Sequence, residues 1–106
     1  MSIGNTSAFT PENSIEYSEG SIVSKQVVKS NAGNITLFAF DAGEGLSEHT
    51  APFDALVHVI DGEAEVIIGG KSNFVRANEA ILMPANIPHA LKANKQFKMI
   101  LTMIKG

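Results

Sequence analysis

From Ser21 onward the sequence is divided into short apolar segments, each four to nine residues long and closed by Gly, Asn, Asp or Pro. Segments of that length fit β-strands, and no helix-length amphipathic pattern lies between them. We place nine strands near Ile22–Lys29, Ile35–Asp41, Leu46–Thr50, Ala55–Ile60, Glu63–Ile68, Ser72–Arg76, Ala80–Met83, His89–Lys92 and Phe97–Ile104. So many short strands in one small chain predict an all-β sandwich or barrel.

The organisation of the chain is simple. Its 106 residues, 44% of them hydrophobic and 18% charged, have room for one compact domain. Residues 1–20 are rich in Ser, Asn, Glu and Thr, so we assign them to an N-terminal arm and residues 21–106 to the β-barrel domain. The arm either adds a strand to a neighbouring sheet or is mobile.

Composition excludes several classes of function. The absence of cysteine removes disulfides, thiolate metal sites and a catalytic thiol, so any metal must be held by nitrogen or oxygen. No basic run and no interleaved pattern of arginine and aromatic residues is present, which argues against nucleic acid as a partner. The first twenty residues lack the basic and apolar regions of a signal peptide, and no apolar run is long enough to span a membrane. We therefore expect a cytoplasmic protein with no membrane partner.

Two glycine-containing turns are expected to fix the register of neighbouring strands. Asp61-Gly62 stands between two apolar segments and is typical of a two-residue hairpin turn, in which both central residues need a positive φ. Gly69-Gly70 predicts a second hairpin immediately afterwards.

The last apolar segment, Phe97–Ile104, is apolar on both faces of its alternation. Phe97 and Met99 point to one face, together with Leu101 and Met103, while Ile100 and Ile104 point to the other. A strand buried on both sides in so small a protein favours packing against a second subunit, so we expect a homodimer. A sandwich with a thick outer cover is the alternative.

Three histidines are the imidazole candidates for metal or proton chemistry. His49 ends a polar stretch rich in turn residues, and His89 follows a turn braced by prolines. Side chains in such positions converge at the mouth of a barrel. His58 lies three residues after Ala55, and strand alternation therefore points it away from the face that residues 55, 57 and 59 share. We expect His58 on the outer face or in a subunit interface.

Two spaced motifs surround His49 and His89. Gly43, His49 and Gly62 fall on the pattern Gly, five residues, His-x-His, three or four residues, Glu, six residues, Gly. Pro84 and His89 fall on the pattern Gly, five residues, Pro-x-Gly, two residues, His, three residues, Asn. In these residues the chain resembles the cupin superfamily. The resemblance implies a single-domain jelly-roll β-barrel, which in many members of the family binds one divalent metal.

The sequence departs from the family pattern at Ala51, Ala55, Asn78, Asn86 and Ala93. The family holds its metal with three His and one Glu, and alanine stands at two of those four positions. Alanine offers no lone pair, so the resemblance leaves His49 and His89 as an incomplete metal site. The implied cofactor is one divalent transition metal (Zn, Fe, Mn or Ni) that recruits other groups, or none.

Three functions remain open. We favour a small-molecule-binding cupin domain whose pocket is lined by His49, His89 and apolar side chains. The first alternative is a metal-dependent cupin enzyme of the isomerase, dioxygenase or cyclase type with a reduced ligand set. The second is a structural or regulatory dimerisation module, because Phe97–Ile104 is apolar on both faces. The family hosts many activities, so the fold alone does not choose between them.

Overall fold

A computed structural model describes residues 7–105 of the protein. A 3₁₀ turn at Pro11–Asn13 precedes the strands. The strands are β1 (Ile22–Ser30), β2 (Gly33–Phe40), β3 (Gly45–His49), β4 (Asp54–Ile68), β5 (Lys71–Arg76), β6 (Ala80–Met83), β7 (His89–Lys92) and β8 (Phe97–Ile104). The all-β prediction is confirmed, and the strand positions agree with it everywhere except at β4.

The hairpin predicted at Asp61-Gly62 is wrong, because both predicted segments belong to the single strand β4. A bulge between Val59 and Asp61 and a φ of 75° at Gly62 bend this strand without reversing it. A Cβ atom on Gly62 would run into the backbone carbonyl oxygen of Gln96. The Asp-Gly pair therefore marks a bend and a close backbone approach.

The bend lets β4 belong to two sheets. Its first half pairs antiparallel with β6 and β8, and the sheet continues through β2 to β1. Its second half pairs with β5 and with β7, which in turn pairs with β3. The predicted Gly69-Gly70 hairpin joins β4 to β5, with φ values of 57° and 82° and Ile68 opposite Lys71. Hereafter the first sheet is β1, β2, β8, β4 and β6, and the second sheet is β3, β7, β4 and β5.

The main core lies between the two sheets. The first sheet contributes Val57, Val59 and Met99, all 0% exposed, and the second contributes Val66 and Leu91. The Phe40 and Phe97 rings stack at a centroid distance of 4.5 Å. Along β4, Val57 and Val59 thus alternate with residues that face outward, as the sequence pattern predicts.

A smaller core lies on the outer face of the first sheet, where the arm covers part of it. Ile15 is only 3% exposed and packs with Leu37 and Ala39, and Ile100 borders this cluster. The outward face of β8 is thus covered in part by the chain's own arm, while Ile104 is 61% exposed. Residues 1–6 of the predicted arm lie outside the described residues.

Polar contacts hold the arm on the sheet. The Lys25 ammonium donates to the carbonyl of Ser14, and the Lys98 ammonium donates to the carbonyl of Glu12. The Tyr17 hydroxyl donates to the Asp61 carboxylate. Within residues 7–105 no helix has the length and apolar character needed to cross a membrane.

Candidate imidazole site

The antiparallel pairing of β3 with β7 brings His49 and His89 together. They are register partners at the end of β3 and the beginning of β7, although 40 residues separate them in sequence. His89 also stands opposite Ile68 and shares the inward face with Leu91. The two histidines therefore meet at one end of the space between the sheets.

The turn before β7 positions His89. Asn86 has a φ of 65°, which asparagine tolerates better than most residues, so it takes the place of the family's glycine. Its backbone N–H donates to the carbonyl of Ala51, and the N–H of Ala85 donates to the Asp54 carboxylate. These bonds tie the turn to the segment between β3 and β4, and so fix the two histidines relative to each other.

The two imidazoles point their Nε2 atoms at each other. The Nε2 atoms are 3.2 Å apart, and the rings meet at 70° with centroids 4.4 Å apart. His49 Nδ1 lies 2.9 Å from the carbonyl oxygen of Ser47, and His89 Nδ1 lies 3.2 Å from that of Ile87. A carbonyl oxygen only accepts, so each Nδ1 carries the hydrogen and donates it. A hydrogen on one of the two Nε2 atoms would bridge the rings, and without one the two Nε2 atoms face each other as acceptors.

Burial differs across the pair. His89 is 6% exposed, whereas His49 lies on the exposed rim. Of the two imidazoles, His49 is therefore the one in contact with solvent.

The alanines at the family's ligand positions contribute no donor atom. Ala55 is 5% exposed and belongs to the main core, and Ala51 is half-buried. No group of three or more His, Cys, Asp or Glu side chains suited to a metal occurs within residues 7–105. The described site thus offers two imidazole nitrogens.

The structure places His58 away from this pair. Its neighbours Val57 and Val59 are fully buried in the main core, so His58 points outward and is half-buried. Asp54 is held by its bond from the Ala85 N–H. What sequence reasoning missed is the orienting role of the carbonyls of Ser47 and Ile87, each two residues before its histidine. Backbone acceptors of this kind leave no signal in residue types.

Two antiparallel sheets that share a bent strand and enclose an apolar core define a jelly-roll barrel with one imidazole-lined end. The family model described as the cupin domain matches residues 36–105. The chain therefore belongs to the cupin family, and the resemblance inferred from its two motifs is confirmed.

Solved structures show the same fold. A conserved protein of unknown function from Streptococcus pyogenes is 31% identical, with a TM-score of 0.93 over 98% of this chain and 91% of that one. A Cupin 2 conserved barrel domain protein from Leptotrichia buccalis is 44% identical, with a TM-score of 0.86 over 89% of this chain and 46% of that one. A cupin superfamily protein from Desulfitobacterium hafniense is 26% identical, with a TM-score of 0.88 over 96% and 94%. No curated protein matches the chain.

Proposed function

We propose that this protein is a small-molecule-binding cupin domain whose ligand contacts His49 and His89. The observation that carries the proposal is the convergence of two Nε2 atoms, 3.2 Å apart, at the end of the barrel. Both Nδ1 atoms face backbone carbonyls, so a bound group that supplies a hydrogen or an electrophile would meet the two Nε2 atoms together. A ligand with a hydroxyl or similar donor and an apolar body would suit this end of the barrel.

The class of ligand is limited by the surroundings. Leu91 and Ala55 give the inward face near the histidines an apolar character. The residues around the two motifs include few cationic side chains, which disfavours highly phosphorylated ligands. Sugars, small acids and aromatic compounds fit this description.

A thermal-shift screen tests this function on protein freed of metal with a chelator. Ligands from these three classes are added to wild type, His49→Ala, His89→Ala and the matched control His58→Ala. We expect at least one ligand to raise the melting temperature of wild type and of His58→Ala, and to leave both other variants unchanged. The proposal is wrong if every ligand that raises the melting temperature of wild type raises that of His49→Ala and His89→Ala by the same amount.

A metal-dependent enzyme is the second candidate, and the same distance favours it. Two nitrogen ligands at roughly 2.0–2.1 Å from one Zn²⁺ ion lie about 3.0–3.4 Å apart. The 3.2 Å separation of the Nε2 atoms fits that spacing. His49 and His89 would hold the ion, which when bound would supply Lewis-acid activation of a substrate oxygen. Catalytic ions commonly have about three protein ligands, so water or substrate would complete the shell.

Elemental mass spectrometry of gently purified protein separates the two candidates. Close to one Zn, Fe, Mn or Ni per chain, lost in His49→Ala and kept in His58→Ala, would establish the metal-dependent candidate. Ligand binding without metal in either protein would support the metal-free binding domain.

We further propose that the protein forms a homodimer through the outer face of the first sheet. The strand registers align Val28, Ile35, Thr102, Leu56 and Leu82 in one row across all five strands. This row carries no charge, and Val28, Leu56 and Leu82 are 49%, 41% and 51% exposed. Because the row carries no charge, the same row of a second copy can pack against it without charge repulsion. The two copies would then be related by a twofold axis.

Light scattering at micromolar concentration tests the dimer. We expect the wild type to have the mass of two chains and Leu56→Glu that of one. The matched control is Phe74→Glu, since Phe74 is 57% exposed but lies on the second sheet. A wild type with the mass of one chain would exclude this dimer and with it a dimerisation module.

A further inference from the structure

A cavity lies on the outer face of the first sheet, away from the imidazole pair. Its volume is about 250 Å³, and it lies between the arm and the outer face of the first sheet. Thr10, Pro11 and Glu12 form the wall on the arm side. His58, Ile60 and Ile100 form the floor, and Asn78 closes one end.

Both sides of this outer cavity are held in place. The floor belongs to the paired strands β4 and β8, where His58 stands opposite Ile100. The wall is fixed because the Lys98 ammonium donates to the carbonyl of Glu12 at 2.6 Å. The buried side chain of Ile15 anchors the arm just beyond it. A cavity with a fixed wall and floor binds a ligand without first having to order them.

Three polar residues line the cavity, of which His58 is half-buried and Glu12 and Asn78 are exposed. Among residues 7–105, no hydrogen bond engages the Glu12 carboxylate, the His58 imidazole or the Asn78 amide. Each can present an acceptor, since the carboxylate and the amide oxygen accept and a neutral imidazole has one accepting nitrogen. No Lys or Arg side chain lines the cavity, and the nearby Lys98 ammonium is engaged by the Glu12 carbonyl and the Tyr17 ring. The wall and floor therefore form an acceptor-rich, partly apolar site.

We propose that this outer cavity binds a primary ammonium compound with a small apolar body. A protonated primary amine has three N–H donors, which matches the three acceptors of Glu12, His58 and Asn78. The carboxylate also supplies the opposite charge, which makes that hydrogen bond the strongest of the three. Ile60 and Ile100 contact the apolar body. The cavity is smaller than the roughly 300–1,000 Å³ of sites for drug-sized ligands, so the compound is small.

Titration of ¹⁵N-labelled protein with 2-phenylethylammonium tests the proposal by NMR. We expect resonances of His58, Asn78 and Ile100 to shift on addition of the amine. The protein should bind the amine more tightly than it binds the neutral 2-phenylethanol or the anionic phenylacetate. Glu12→Gln should weaken the binding of the amine about tenfold, the effect of losing one charge-assisted bond. Glu16→Gln removes the same charge from an exposed position on the arm and should change affinity less than about twofold.

His58→Leu gives a second test, because it removes an acceptor while keeping an apolar floor. We expect it to weaken the amine while His49→Ala leaves the affinity unchanged, so this site and the imidazole pair are tested independently. Equal affinity for phenylacetate, an unchanged affinity in both Glu12→Gln and His58→Leu, or shifts confined to residues near His49 would each overturn the proposal.

Discussion

The inner and outer faces of the first sheet are both apolar, yet they are covered in different ways. The inner face packs against the second sheet, and Val57 and Val59 have no exposed surface. Among residues 7–105 the outer face is covered by the arm alone, which buries Ile15 against Leu37 and leaves Leu56 41% exposed. The cover made by a whole sheet is continuous, whereas a cover made by a short segment has edges, and the outer cavity lies at such an edge.

Two histidines on different sheets have correspondingly different surroundings. His89 faces inward and is 6% exposed, and its Nε2 lies 3.2 Å from the Nε2 of His49. His58 faces outward and lines the outer cavity together with Glu12 of the arm and Asn78 of the turn between β5 and β6. On β4 itself, strand parity points His58 outward while its neighbours Val57 and Val59 point into the main core.

Gly62→Ala should have the largest effect, since Gly62 lies where β4 passes from one sheet to the other. Its φ of 75° strains any side chain, and a Cβ would run into the Gln96 carbonyl oxygen. Backbone strain of about 1–3 kcal/mol is added to that clash, so we expect urea denaturation to show a loss of about 3 kcal/mol or more in the free energy of unfolding.

Gly43→Ala is the control for this substitution. Gly43 has a φ of 91°, but a Cβ atom at this position would meet no other atom within 4 Å. Only the backbone strain of about 1–2 kcal/mol therefore remains. Equal losses for the two variants would show that the close backbone approach contributes nothing and that the bend of β4 tolerates a side chain.

Val59→Ala and Leu56→Ala compare the two faces directly. Val59 is 0% exposed in the main core, so its truncation leaves a cavity and should cost about 2 kcal/mol of unfolding free energy. Leu56 is 41% exposed, and its truncation in the monomer should cost less than about 1 kcal/mol. A loss at Leu56 that grows with protein concentration would instead reveal the proposed dimer.

The success of prediction from sequence follows the same division. Period-two alternation is local, so it correctly placed Val57 and Val59 inward and His58 outward. The same local signal could not distinguish a hairpin from a bend at Asp61-Gly62, because both need a positive φ at glycine. What decided the outcome is the backbone near Gln96, which is distant in sequence.

The candidate site, like the fold, was predictable only in part. The motif spacing indicated the pair His49 and His89, and antiparallel pairing of β3 with β7 brings them into contact. The outer cavity was not predictable, because lysines from β1 and β8 fix the arm by bonding its backbone carbonyls. Backbone acceptors carry no residue-type signal, and their partners come from distant strands.

The pKa of Tyr17 indicates whether the arm is held against the outer face of the first sheet. Burial, together with the hydrogen bond to Asp61 and its negative charge, raises the pKa of the Tyr17 hydroxyl well above 10.0. The folded state thus favours the neutral phenol, and this contribution to stability is complete below pH 10 and lost as the pH rises further. Above pH 10, the unfolding free energy of wild type should therefore fall more steeply with pH than that of Tyr17→Phe.

A direct measurement of this ionisation is possible because Tyr17 is the only tyrosine and the chain has no tryptophan. Ultraviolet absorbance of the phenolate should titrate well above pH 10 in folded protein and near 10 in urea. The same midpoint in both states would mean that the arm is not held against Asp61 in solution.

The smallest expected effect is a change in the pKa of Glu65. This residue lies on the outer face of the second sheet, which the described part of the arm does not cover. Hydrogen bonds from Asn94 and Ser72, at 2.9 and 2.7 Å, and the charge of Lys92 hold the pKa of this carboxyl below its usual 4.5. A lowered folded pKa stabilises the protein above pH 4.5, and that contribution is lost as the pH falls through the folded value. Carboxyl ¹³C NMR should show a lowered Glu65 midpoint that returns toward 4.5 in Asn94→Ala. An unchanged midpoint in that variant would show that the hydrogen bond from Asn94 is not the main cause of the lowered pKa.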